Sequence, residues 1–294
     1  MSKFHYLQLD VFAASRGGGN PLGVVVDARE WTDADMQGFA AWTNLVETTF
    51  LLPPSHPDAS YRLRIFTPTN EIPFAGHPTI GSAHAALHSG FAQPRDGLLV
   101  QECGAGLLQI RLQDANGEHE LFVQSPAARV IEAASNPAAP LRAVLASQAL
   151  GALPPALVEG GRRWWVVEFA DEAGVREWQP DHAAIKALAA GDNCLGVCIF
   201  GRCANAPYDL VVRAFPAGVG IVEDPASGAA NGLIAAWIAQ REPGGALAHG
   251  YRVSQGREMG HDASISVRID DNRAVWVGGT SDIVVDGTLR WPLA

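Results

Sequence analysis

Two stretches of this chain have a helical pattern yet are apolar or small on nearly every side: residues 78–89, within "FAGHPTIGSAHAALHS", and residues 228–240, "GAANGLIAAWIAQ". A helix without a polar face has to be surrounded by protein. Each of the two therefore calls for strands wrapped around it, which restricts the fold more than any other feature of the chain. Their entrances are also alike. "FAGHPTIGSAHAAL" and "EDPASGAANGLIAAW" each follow strand-like runs and a short loop of turn residues, a weak internal repeat. Two halves follow, residues 1–125 completed by 281–294, and residues 126–280. Each is expected to be a curved, mostly antiparallel sheet around its own central helix. The Pro/Ala/Ser-rich segment 125–140, "SPAARVIEAASNPAAP", reads as the crossover between them. If the halves face one another, both helix entrances serve one site.

The rest of the pattern supplies the strands. Short apolar or alternating runs lie at 4–11, 22–27, 48–52, 61–66, 98–103, 107–113 and 120–124 in the first half. The second half has them at 164–169, 195–201, 208–215, 264–269 and 274–278, with 282–286 near the end. Two further helices are expected on the surface. One spans 32–44 and opens on a Thr-x-x-Asp cap, and the other runs from Asp181 to a glycine at 191. The fold class is α+β.

Composition sets outer bounds. A chain of 294 residues, 48% hydrophobic and 18% charged, folds into an ordinary globular protein. Its formal charge of −10 opposes binding to nucleic acid or to anionic membranes. The start, "MSKFHYLQLDVFAASRGGG", alternates like a strand and lacks the layout of a secretory signal, and no apolar run reaches membrane-spanning length. Cys103, Cys194, Cys198 and Cys203 form no C-x-x-C pair and read as reduced, buried thiols of a cytoplasmic protein.

Several residues could carry chemistry. Glu47, in "WTNLVETTFLL", sits among Leu45, Val46 and Phe50. Poor solvation there would raise its carboxyl pKa into the range of a general base, whereas a rim position would leave its head in water. Pro78 reads as a helix start, which places His77 at the N-cap, beside N–H groups and a helix dipole suited to an anion such as a carboxylate. His77 and Asp224 could each simply cap a helix or also meet a ligand. His77, His84 and His88 are spaced as if to share a helix face, but "HAALH" lacks the glutamate of H-E-x-x-H, so no metal is expected. The glycine run "SRGGGNPLG" lacks the Lys-Ser/Thr ending of a phosphate loop and precedes a strand, so it reads as a turn.

Four segments, "GGNPLGVVVDA", "NLVETTFLL", "LRIFTPTNEIPFAGHPTIGSAHAAL" and "GVGIVEDPASGAANG", occur in this order across most of the chain. Together they resemble the phenazine-biosynthesis PhzF-type isomerase family. The resemblance implies the diaminopimelate-epimerase fold, with two pseudo-symmetric halves and the active site between them. Related epimerases and proline racemases swap a proton between two cysteines, and the matching positions here are Ala75 and Pro225, so two-thiol chemistry is unavailable. The resemblance implies instead a cofactor-free isomerase in which Glu47 shuttles a proton and His77 protonates or hydrogen-bonds a substrate heteroatom. Asp224 would orient an amino or hydroxyl group. Gly76, Ser227, Gly228 and Ala229 would line the substrate carboxylate. The family pattern carries serine where this chain has Ala229, which removes one hydrogen-bond donor. The expected partner is a small carboxylate-bearing metabolite and the expected assembly a homodimer. A racemase using carboxylates in place of thiols and a non-catalytic carboxylate-binding protein are the rival readings.

Overall fold

The computed structural model describes residues 2–115, 118–146 and 148–292. Residues 1, 293 and 294, which bound the expected first half, lie outside the described residues. The chain divides into two compact units, Met1–Gln124 with Gly278–Ala294, and Ser125–Val277.

The first unit runs β1 (Ser2–Val11), β2 (Asn20–Val26), α1 (Asp33–Thr43), β3 (Thr48–Leu52), β4 (Tyr61–Phe66), β5 (Glu71–Ile72), α2 (Gly76–His88), β6 (Leu98–Cys103), β7 (Gly106–Ala115) and β8 (Glu118–Gln124). The second contains β9 (Arg129–Ala133), α3 (Ala139–Leu145), β10 (Ala156–Gly160), β11 (Arg162–Glu168), α4 (Glu172–Glu177), α5 (His182–Gly191), β12 (Val197–Arg202), β13 (Leu210–Phe215), α6 (Gly228–Arg241), β14 (Gly250–Gln255) and β15 (Ala263–Ile269). Strand β16 (Val275–Gly279) follows, and β17 (Ser281–Trp291) returns to the first unit.

The internal repeat is legible in the strand pairing. In the first unit β1–β2 is antiparallel, β2–β3 parallel, β3–β4 antiparallel, β4–β6 parallel and β6–β7 antiparallel. The second unit repeats that alternation through β10–β11, β11–β12, β12–β13, β13–β14 and β14–β15. A parallel step needs a crossover, and a helix fills each one. Helices α1 and α2 do so in the first unit, and α4 with α5, then α6, in the second. Strands β17 and β9 flank the two series, antiparallel to β1 and β10.

Helix α2 packs on β1, β2, β3, β8 and β17. Strands β8 and β17 stand at opposite ends of their unit's strand order, so the sheet curls around the helix. Its small residues make this enclosure possible. A Cβ on Gly81 would lie 2.6 Å from both Val11 and Leu22 side chains on β1 and β2. Gly81→Val should force α2 off those strands and cost about 2–3 kcal/mol, the upper range for overpacking. A lower urea midpoint at unchanged slope would show it. Helix α6 is likewise buried on most sides and packs on β10, β11 and β15. The outer faces are covered differently. Trp31, Met36 and Phe39 of the α1 region pack with Phe4, Phe50 and Phe66, and α3, α4 and α5 cover β11–β13.

The expected surface helices form with the caps read from the sequence. Thr32 and Asp35 make a reciprocal capping box at α1, and Asp181 caps α5. The start of α2 differs from the expectation. Its N-cap is Ala75, so His77 is the second residue of the helix and Pro78 the third. Proline is tolerated throughout a first turn, because no N–H there has an acceptor one turn back, so Pro78 did not mark the boundary. Asp224 is not a helix cap either, since Ser227 caps α6. The segment 125–140 is more than a crossover, for it contains β9, a strand exposed along most of its length and paired with β10.

Candidate active site

Glu47 immediately precedes β3, and the start of that strand is tied down by hydroxyls. Thr43 and Thr48 share a hydrogen bond of 2.9 Å, Thr49 meets Ser82 of α2 at 2.8 Å, and Thr49 also donates to the carbonyl of Gly23. From the other side Gln101 of β6 donates to Thr79 of α2 at 3.2 Å and accepts from the Tyr61 hydroxyl. These bonds hold the first turn of α2 against β3, β4 and β6.

The result is a buried pair. His77 Nε2 lies 3.4 Å from Glu47 Oε2, with the residues 6% and 9% exposed. Glu47 is therefore no rim carboxylate. Its sequence neighbours do not provide the burial, since Leu45 is half-buried and Val46 exposed; the mouth of α2 does. His77 Nε2 makes no hydrogen bond in the structure. Burial pushes the His77 pKa down to about 3, so the ring is neutral at physiological pH. A neutral imidazole against a carboxyl group can hold and pass a single proton. The N–H groups of Gly76 and His77, in the first turn of α2, have no acceptor within the helix and are suited to an anion.

The depressed His77 pKa has a consequence for stability. Between pH 6.5, its ordinary value, and about 3, the unfolded chain takes up a proton that the folded chain does not. Stability should therefore fall as pH drops through that window, on the order of 1 kcal/mol per pH unit from this group. His84, whose pKa burial also lowers, adds in the same direction. Urea titrations at pH 7 and pH 5 measure the slope.

The second unit has its own polar helix mouth. Asp224 is half-buried, donates its N–H to Ala214 O at 2.9 Å and accepts from the Ala226 N–H at 3.2 Å. Beside it, Glu223 forms a two-bond pair with Arg213, both bonds 2.9 Å, and Arg213 also donates to the carbonyls of Val175 and Trp178. Ser227 and Gly228 are buried, whereas Ala229 is exposed at the second position of α6, the place that His77 holds in α2. By that helix numbering Ala75 corresponds to Ser227 and not to Pro225, and neither is a thiol.

The structure thus brings Glu47, His77 and Gly76 together in the first unit, and Asp224, Ser227, Gly228 and Ala229 together in the second. It separates His77 from His88. His88, at the far end of α2 from His77, bonds to Asp286 along with His5. Among the described residues no group of three His, Cys, Asp or Glu side chains could hold a metal ion. Cys194 and Cys198 are buried as expected, but Cys103 and Cys203 are only half-buried. Burial pushes the Cys194 thiol up to about 11. Sequence reasoning passed over Gln101 and Gln255. Gln101 lies within "LLVQEC" and Gln255 ends "GYRVSQ", and each is fully buried. The alternation of buried Leu99 with Gln101, and of Val253 with Gln255, was the available signal.

Two units of repeated strand pairing, each curved around an apolar helix with polar groups at its mouth, define the diaminopimelate-epimerase-like fold class. The profile of the phenazine biosynthesis-like protein family (PhzC-PhzF) matches residues 9–287. The chain is 31% identical over 278 residues to a trans-2,3-dihydro-3-hydroxyanthranilate isomerase of Pseudomonas chlororaphis, covering 90% of each chain. It is also 31% identical to the antisense-enhancing sequence 1 protein of Schizosaccharomyces pombe, covering 98% of this chain and 99% of that one. In fold it is similar to the PhzF-family phenazine biosynthesis protein of Bacillus anthracis, with a TM-score of 0.82, 23% identity, and 99% and 100% of the two chains covered. The chain belongs to the phenazine biosynthesis-like, PhzF-type family and is an isomerase. No helix among the described residues is long and apolar enough to cross a membrane.

Proposed function

We propose that this isomerase needs no cofactor and moves a hydrogen within a small, carboxylate-bearing, unsaturated metabolite by general acid–base transfer. The observation that carries the reading is the buried Glu47–His77 pair at the mouth of α2. Glu47 takes a proton from a substrate carbon and returns one elsewhere on the same molecule. Neutral His77 hydrogen-bonds a heteroatom on which charge develops, and the free N–H groups at the first turn of α2 stabilise that charge. Asp224 orients an amino or hydroxyl group, with Ser227, Gly228 and Ala229 lining the carboxylate.

The named activity of the Pseudomonas relative supplies the first compound to try, trans-2,3-dihydro-3-hydroxyanthranilate. Ala229 offers no hydroxyl, so a substrate with one fewer acceptor near the second entrance fits this chain better. The test is incubation in heavy water with a chelator present. Deuterium gained at carbon together with a shifted double bond supports the reading. Inversion at a single stereocentre would point to a racemase, and tight binding without exchange to a carboxylate-binding protein; either result overturns it.

A further inference from the structure

We infer that Gln255 is a positioning residue that sets Asp224 and the mouth of α6 for the reaction; the inference rests on the reading of Asp224 as a substrate-contacting group. Its fully buried side chain makes three hydrogen bonds. Nε2 donates to the main-chain carbonyl of Asp224 at 2.8 Å, and Oε1 accepts from the Ser227 N–H at 3.3 Å and from Asn231 Nδ2 at 3.0 Å. Asn231 in turn donates to the Ser227 carbonyl at 2.9 Å. One side chain thus grips both ends of the four-residue segment, Asp224 to Ser227, that leads into α6.

The internal repeat provides a built-in comparison. Gln101 lies within β6 and Gln255 ends β14, and β6 and β14 are the strands reached by the second parallel crossover of each unit. Both glutamines bond the fourth residue of their unit's central helix, Thr79 in α2 and Asn231 in α6. Gln101 takes its other bond from a sheet side chain, Tyr61, and so joins helix to sheet. Gln255 reaches instead to the entry loop's main chain. A side chain needed only to join helix to sheet would be served by contacts like those of Gln101.

The residue after it supports the same conclusion from backbone geometry. Gly256 has φ +92°, and a Cβ there would lie 2.6 Å from the Pro225 carbonyl oxygen. The end of β14 is pressed against the loop that carries Asp224, and glycine permits the approach.

The experiment compares Gln255→Met with Gln101→Met, each checked for folding by circular dichroism. Gln255→Glu, which keeps the size and an acceptor for Ser227, serves if the methionine variant does not fold. Amide exchange of residues 222–231, read by mass spectrometry, should rise in the Gln255 variant and stay at the wild-type level in the Gln101 variant. With trans-2,3-dihydro-3-hydroxyanthranilate, kcat should fall about a hundredfold, the scale of a misplaced group, with KM little changed. Adding Asp224→Asn to the Gln255 variant should cost little more, because residues acting through one another are not additive. Unchanged exchange in 222–231, a loss confined to KM, or fully additive losses would overturn the inference. An Asp224→Asn variant of full activity would instead refute the proposed role of Asp224, and the exchange comparison alone decides whether Gln255 holds the loop if the wild-type protein is inert toward this compound.

Discussion

Glu47→Gln is expected to lower turnover by at least about a hundredfold, the scale of losing a positioned general base, while the fold and ligand binding survive. The amide has nearly the shape of the carboxylate but cannot accept a proton from carbon. The fold should tolerate the change, because Glu47 lies in a connection rather than inside a strand or helix, and replacing a buried carboxyl group by a neutral one removes a desolvation cost. Steady-state turnover, a binding titration with the same ligand and a thermal melt separate the three claims. Activity at the wild-type level would dismiss Glu47 as the base.

His77→Leu should lose at least about a hundredfold in turnover as well, yet be no less stable than the parent at pH 7. Ring nitrogen Nε2 is buried and makes no hydrogen bond, so the fold gains little from it. A group kept at a cost to stability is characteristic of a functional site. The pH dependence sharpens the test. The parent should lose stability between pH 7 and pH 5, because its unfolded chain takes up a proton that buried His77 refuses. The leucine variant lacks that proton and should lose less. Parallel urea titrations at both pH values, with turnover measured alongside, decide it. A variant much less stable than the parent at pH 7 would mean that His77 serves the fold.

How much of this was legible in the sequence depended on whether the signal was local. The two enclosed helices could be read because apolar residues on every side admit no exposed arrangement, and α1 and α5 because their caps are written in adjacent residues. Strand β9 was not legible. It is exposed along most of its length, so it carries no alternating apolar pattern, and only its pairing with β10 makes it a strand. Strand β14 was not among the expected strands, although Tyr251 and Val253 alternate inward.

The site shows the same division. Glu47 and His77 could be selected by residue type and motif, but the physical reason first assigned to Glu47 was misplaced. Its burial comes from α2, some thirty residues away in the chain, and not from Leu45 and Val46 beside it. Gln101 and Gln255 carry no local mark of burial, since a polar side chain in or at the end of a strand is ordinarily read as facing water. Only the tertiary fold shows that each is enclosed and bonded to a helix mouth.

The most direct test of the proton-shuttle account is a crystal structure of the Glu47→Gln variant with trans-2,3-dihydro-3-hydroxyanthranilate trapped unreacted. The account predicts the hydrogen-bearing carbon within about 3–3.5 Å of the residue 47 side chain, a near-attack distance. It also predicts a substrate heteroatom within hydrogen-bond reach of His77. A bound ligand whose reacting carbon lies beyond about 6 Å, outside the range even of a cation–π contact, would contradict it.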